Sequence, residues 1–208
     1  MSRPLKDYTD FIERMKNNHF PVKVKFGLEV CYSPGHEADI ERLKKAYPFD
    51  FLVGSIHFID GWAFSHIKQP WKREDYDLKV LYRRYYKLMY ALADSTLFSG
   101  LAHPNSLQCF GAYPIEDYME EYEKIADVLK KNNMYIEESS GLAINYGDME
   151  LGMNKRMLEA MKNKKVKIVT ASDAHIPQNV GKLIPEMYDY LTKENRILHL
   201  NQNMDGFF

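Results

Sequence analysis

Cysteine is scarce: the chain has two, Cys31 and Cys109, in 208 residues. They fit no paired metal-ligand spacing and no disulfide framework, so both read as small buried hydrophobes. Long apolar runs are missing too. No window approaches the roughly 18 apolar residues that a membrane-spanning helix needs, and the opening MSRPLKDYTD lacks the apolar stretch of a signal peptide. The expectation is a cytoplasmic protein with no membrane partner. Charge of one sign is also lacking. Twenty-eight Lys and Arg against 29 Asp and Glu leave a net charge of −1, and no basic block stands out, which argues against a nucleic-acid partner. An anionic substrate would have to be attracted by a local site. Finally, no linker, low-complexity tract or internal repeat interrupts the chain, so residues 1–208 are read as a single domain, long enough to bury a sizeable core.

What is present is an alternation of two patterns. Short β-branched, apolar or aromatic runs bounded by polar or turn residues predict strands at 22–32, 51–58, 97–104, 134–139 and 166–175. Between them, apolar residues recur at helical spacing, most clearly over 75–94, where Leu78, Leu81, Tyr82, Tyr85, Leu88, Met89 and Leu92 share a face. Further helices are expected near 5–18, 36–46, 115–132, 153–163 and 182–194, the third of these opening at Pro114. Strand and helix in strict alternation predict an α/β fold, a parallel sheet with crossover helices, open or curled into a barrel. The loop 59–74 is the one long irregular insert, and long loops in compact domains are often functional.

Each predicted strand carries a metal-capable side chain near its C-terminal end. These are Glu29, His57, His103, the pair Glu137 and Glu138, and Asp173 with His175. The C-terminal edge of a parallel sheet is where side chains from successive strands converge on active sites. One such histidine alone would read as a structural one. The recurrence points instead to a shared metal site built from Glu29, His57, His103, Asp173 and His175. Mixed histidine and carboxylate donors suit zinc, manganese or iron, and without thiolates a catalytic site open to water is favoured over a closed structural one. Glu137 and Glu138 can equally be a cap or a solvated pair. His66, in the long loop, is a candidate for the site mouth, whereas His19, His36 and His199 read as surface or capping residues.

The segments GLEVCY, VGSIHFIDGWAF, LAHPNSLQCFG, YIEESSGL and IVTASDAHIPQNVG together resemble the PHP (polymerase and histidinol phosphatase) superfamily, and within it the histidinol-phosphate phosphatase branch. They stand in family order from about residue 5 to 200. The resemblance implies a distorted (β/α)7 barrel with one to three divalent ions (Mn, Zn or Fe) that hydrolyses a small phosphomonoester. It implies that Glu29 bridges metals, that His57 and His103 hold one ion, and that Asp173 and His175 serve other positions. Glu138 falls where the family more often has asparagine on the substrate side. The family's opening His-x-His pair, with its following aspartate and histidine, does not occur here. The barrel is therefore expected to be incomplete at its N-terminus, with open edges that a homo-oligomer could cover.

Phosphoryl transfer needs charge neutralisation, so Lys72, Arg73 and Arg84 (or its neighbour Arg83) are the candidate phosphate contacts. Asp173 and His175 are the candidate catalytic pair, with Asp173 a candidate proton donor to the leaving group. The leading expectation is a phosphatase acting on L-histidinol phosphate in histidine biosynthesis. The alternative is a catalytically impaired domain that binds metal or ligand or needs a partner to complete the barrel. Phosphodiesterase or nuclease activity is a third reading, disfavoured by the lack of a basic groove.

Overall fold

The computed structural model of the chain describes residues 5–147 and 150–193. Helix α1 (Leu5–Lys16) leads into strand β1 (Gly27–Cys31), α2 (Glu37–Ala46) and β2 (Phe51–Ser55). A hairpin of β3 (Phe58–Ile59) and β4 (Trp62–Ala63) follows, then α3 (Leu78–Asp94) and the short β5 (Gly100–Leu101). The rest comprises α4 (Met119–Lys131), β6 (Tyr135–Ser139), α5 (Gly141–Tyr146), α6 (Lys155–Asn163), β7 (Lys167–Ala171) and α7 (Ile184–Lys193). Five strands form one all-parallel sheet in the order β1-β2-β5-β6-β7. As the alternation requires, each parallel connection passes through a helix.

The sheet separates two apolar regions. Leu52 and Ile136 point into the main core, packed beneath α3, α4 and α6, while their neighbours Val53 and Tyr135 belong to a small cluster with Ala102. Alternation along a strand sends adjacent side chains to opposite faces. The main core centres on tyrosines. Tyr82, Tyr86, Tyr118 and Tyr122 pack ring on ring, and three of the hydroxyls have internal partners: Tyr82 donates to the Ala112 carbonyl at 2.6 Å, and Tyr86 and Tyr122 share a hydrogen bond of 3.0 Å. Helix α3 presents the expected stripe, and Asp77 caps it by accepting from the backbone N–H of Lys79 and Val80. The cap explains why the helix starts at Leu78, inside the apolar pattern, and not at 75.

Other boundaries differ from expectation. The third strand comprises only Gly100–Leu101, and the second and last end at Ser55 and Ala171. The first strand is shorter too: its pairing with β2 begins at Gly27, and Val22 and Val24 are exposed. The helix expected over 115–132 begins at Met119, so Pro114 lies outside it. The loop 59–74 is not wholly irregular: Asp60 and Gly61 take positive φ angles of 51° and 82° and turn β3 back onto β4. An Asp-Gly pair is a strong local signal for such a hairpin, because both central residues must adopt left-handed backbone. Helix α5 had no counterpart among the expected helices, and the last helix is described to Lys193. His199 lies outside the described residues.

Candidate metal centre

Parallel register aligns the C-terminal ends of the strands, and the chain uses one device three times. His57, His103 and Asp173 each stand two residues beyond the end of a strand, past Ser55, Leu101 and Ala171 respectively. His103 and Asp173 hold φ at 24° and 47°. A non-glycine residue in left-handed backbone is costly, and it persists where surrounding structure fixes it, commonly at functional sites. Here the backbone N–H of His103 donates to Glu137 Oε2 at 3.1 Å. Asp173 packs against Gly141 so closely that a Cβ there would come within 2.3 Å of its carboxylate. Glycine at the start of α5 is therefore what admits Asp173 to the site.

Glu29, from β1, sits between the two histidines. Its Oε1 lies 3.0 Å from His57 Nε2 and 3.1 Å from His103 Nε2, and one ligand atom from each of the three residues falls within 4.8 Å of the others. The far nitrogens are held by serines. His57 Nδ1 is 2.8 Å from Ser65 Oγ, and His103 Nδ1 is 2.6 Å from Ser106 Oγ. Ser106 donates its proton to the His103 carbonyl at 2.8 Å, so its oxygen is free to accept from Nδ1–H. This assigns the proton of neutral His103 to Nδ1 and leaves the Nε2 lone pair facing Glu29. Glu29 Oε1 and the two Nε2 atoms converge on one point, where a proton on an imidazole or a metal ion would join them. Two imidazoles and a carboxylate form a recurrent catalytic zinc donor set, and pinned Nδ1 atoms are the usual support for such ligands. The residues fit an ion.

Electrostatics agree with that arrangement. Burial pushes the Glu29 carboxyl up, but hydrogen bonds from His103 and His57 more than offset it and hold the group well below the usual carboxylate range. Burial alone would lower His103, yet the Glu29 hydrogen bond and charge leave it raised. Burial also raises Asp173 and pushes Glu137 up to about 7.

The triad opens into a cavity of about 600 Å³, within the usual size range of small-molecule sites. One wall is the hairpin segment, with Phe58, Ala63, Ser65, His66 and Ile67. The other is α5 and the β7 end, with Leu142, Asn145, Tyr146, Asp173 and His175. Asp173 and His175 thus share the cavity with the triad but stand outside its ligand cluster. His175 Nδ1 lies 3.0 Å from the Asp173 backbone carbonyl and 3.9 Å from Asp173 Oδ1, and the His175 side chain is 71% exposed.

The expected cations are placed elsewhere. Arg73 pairs with Glu74, Arg84 with Asp60 at the hairpin turn, and Arg83 with Glu116. Neither these residues nor Lys72 line the cavity. Glu138 is fully buried behind the site, accepting from Met153 N–H at 3.0 Å. Of the residues read as surface or capping, His36 is exposed and pairs with Asp39, and His19 is exposed. Ser65, Ser106, Asn145 and Tyr146 were not among the expected site residues. Only Ser106 had a local signal, standing three residues after His103 in a turn.

Fold and site together define a parallel α/β protein with a histidine–carboxylate triad able to hold a metal ion at the C-terminal edge of its sheet. The chain belongs to the PHP family: the PHP domain model matches residues 2–140, which include Glu29, His57 and His103. It is 28% identical over 169 residues to a protein of Deinococcus radiodurans named probable histidinol-phosphatase, a match covering 77% of this chain and 60% of that protein. A protein of the same name from Schizosaccharomyces pombe is 20% identical over 187 residues, covering 84% and 61%. The chain thus spans about three-fifths of the length of these curated relatives. The crystal structure of histidinol phosphate phosphatase from Lactococcus lactis, complexed with zinc, L-histidinol and phosphate, superposes with a TM-score of 0.72 at 17% identity. That superposition covers 95% of this chain and 76% of the other, and identifies the fold as the distorted PHP barrel.

Proposed function

We propose that the chain is a metal-dependent phosphatase of small phosphomonoesters, with L-histidinol phosphate as its substrate. The observation that carries the reading is the Glu29, His57 and His103 triad, with both Nδ1 atoms pinned, at the base of a cavity of small-molecule size. Likeness to proteins named histidinol-phosphatase supports the choice of substrate. The lining supports it too. Glu29 and Asp173 are carboxylates, and no Lys or Arg is among the lining residues described. Such a cavity favours a phosphate ester that carries its own positive charge.

Glu29, His57 and His103 would hold manganese, zinc or iron, with Asp173 and His175 at hand for a second or third ion. When bound, the metal supplies positive charge against the phosphate and acidifies water for attack at phosphorus. Ser65 and Ser106 hold the two rings with each Nε2 aimed inward. Asp173, raised by burial, can hold a proton at its carboxylate for the departing alcohol oxygen. Phe58, Ile67 and Leu142 supply apolar walls that limit water. No helix among the described residues is long and apolar enough to cross a membrane. A cytoplasmic protein is our reading, with a second copy covering the edges at β1 and β7.

The test is metal content together with phosphate release from L-histidinol phosphate, with manganese, zinc or iron supplied. Turnover that collapses in His57→Ala and His103→Ala is expected. Absence of turnover with every metal and a panel of phosphomonoesters would overturn the assignment. That the ligand cluster comprises Glu29, His57 and His103 without Asp173 and His175 favours one alternative, a domain that binds a single ion without catalysis. That alternative predicts metal in the protein and no phosphate release.

A further inference from the structure

Two ligands of the triad rest on serines of different kinds. Ser106 belongs to the same turn as His103, so its position follows from local backbone. Ser65 lies eight residues from His57, beyond the β3–β4 hairpin, and must be held by something else. The preceding Phe64 is fully buried, packed edge-on against Tyr85, and its carbonyl accepts from the Trp71 indole N–H at 2.8 Å. The Ser65 carbonyl accepts from the hydroxyl of Tyr146, 81 residues away on α5. Tyr146 is steadied by the ring of Phe110, edge-on at 5.4 Å between centroids.

We propose that Tyr146 is a positioning residue for His57, acting through Ser65. Its hydroxyl fixes the Ser65 backbone, which sets the Ser65 hydroxyl against His57 Nδ1 and so keeps Nε2 turned toward Glu29. The same helix touches the other side of the cavity: Gly141 packs on Asp173, and Asn145 Nδ2 lies 3.5 Å from His175 Nδ1. Helix α5 thereby ties the hairpin that orients one ligand to the β7 end that carries Asp173 and His175. This inference rests on the metal-site reading above and adds to it a long-range determinant of ligand geometry.

Tyr146→Phe keeps the ring and its contact with Phe110 and removes only the hydroxyl. Supporting partners of metal-bound histidines typically change metal affinity about 10- to 100-fold when removed. Ser65→Ala should weaken zinc or manganese affinity roughly 10-fold and Tyr146→Phe about 3- to 10-fold, both by calorimetry. The decisive comparison is the double variant. If Tyr146 acts through Ser65, then Tyr146→Phe in the Ser65→Ala background has no further effect, because coupled residues are not additive. Additive losses would overturn the proposal, as would unchanged affinity in Tyr146→Phe. A second readout needs no metal: the His57 ring nitrogen signals of the unloaded protein should shift toward a mixture of tautomers in Tyr146→Phe while those of His103 stay fixed. Unperturbed His57 signals would also overturn it. Failure of the unaltered protein to bind any metal would instead overturn the metal-site reading, leaving the nitrogen signals to decide the role of Tyr146.

Discussion

Glu138 offers a quantitative test of how the site is supported from behind. Its side chain has no solvent exposure; Oε2 accepts from Met153 N–H, and Oε1 has no hydrogen-bond partner. Gly152 makes room for it, since a Cβ there would meet the carboxyl carbon at 2.3 Å. Burial, set against that hydrogen bond and the charge of Lys162, pushes the carboxyl from an ordinary 4.5 up to about 7. The folded protein therefore holds this proton more tightly than the unfolded chain. Below pH 4.5 both states carry it and nothing is lost. Between pH 4.5 and 7 the unfolded chain releases the proton first, so stability falls as pH rises. At about 1.4 kcal/mol for each tenfold difference in proton affinity, the loss reaches roughly 3 kcal/mol above pH 7.

Glu138→Gln removes that titration while keeping the volume and the acceptor for Met153. The new amide leaves its N–H2 where Oε1 was unpartnered, a cost of about 1–3 kcal/mol that the O–H of protonated Glu138 shares in kind. The two proteins should match within about 1 kcal/mol near pH 4.5. At pH 8 the glutamine variant should be the more stable by about 2–3 kcal/mol. Urea unfolding across this range measures the difference, in which every other titrating group cancels. Parallel pH profiles for the two proteins, or a variant less stable at pH 8, would refute the reasoning.

Ser106→Ala leaves His103 without its buried Nδ1 partner and should weaken zinc or manganese binding about 10-fold in calorimetric titration, with a loss of about 1–3 kcal/mol in urea unfolding of the metal-free protein. Asp77→Ala removes the cap that accepts from two backbone N–H groups at the start of α3 and should cost about 1 kcal/mol in urea unfolding. Arg84→Ala breaks an exposed pair with Asp60 and should change stability by less than about 1 kcal/mol, with KM for a phosphomonoester unchanged.

The sheet and the triad were legible because both follow from short-range rules. Apolar β-branched runs mark parallel strands, and their C-terminal ends are where chemistry gathers, so position in the repeat points to Glu29, His57 and His103, but it does not separate them from Asp173 and His175, which lie outside the triad. What escaped depends on pairs distant in sequence. Ser65 and Tyr146 are ordinary residues until the fold brings them to His57, and α5 has only six residues, too few for periodicity to declare itself. The Asp60–Gly61 turn is a different case, since its signal was present and a long loop was read in its place. The stretch before Gly27 has the alternation of a strand, with valines and lysines in turn, but alternation does not show where pairing starts, and the ladder with β2 begins at Gly27.

That the expected cations do not line the cavity carries a consequence for binding order. Lys72, Arg73 and Arg84 were chosen because a phosphate needs positive charge, but an exposed arginine in an acid-rich segment pairs with the nearest carboxylate, as Arg73 and Arg84 do. The cavity is left with Glu29 and Asp173 facing any anion that enters. At an effective dielectric of about 20, like unit charges 4 Å apart repel by about 4 kcal/mol, enough to weaken binding several hundredfold. An ion on the triad reverses that sign, so phosphate should bind after metal and not before it. Calorimetric titration of inorganic phosphate into metal-stripped protein should give no binding, and the zinc- or manganese-loaded protein should bind it measurably. Equal phosphate affinity in the two forms would mean that a cationic side chain reaches the cavity after all, and that the ion is not what makes this carboxylate-lined site receptive to an anion.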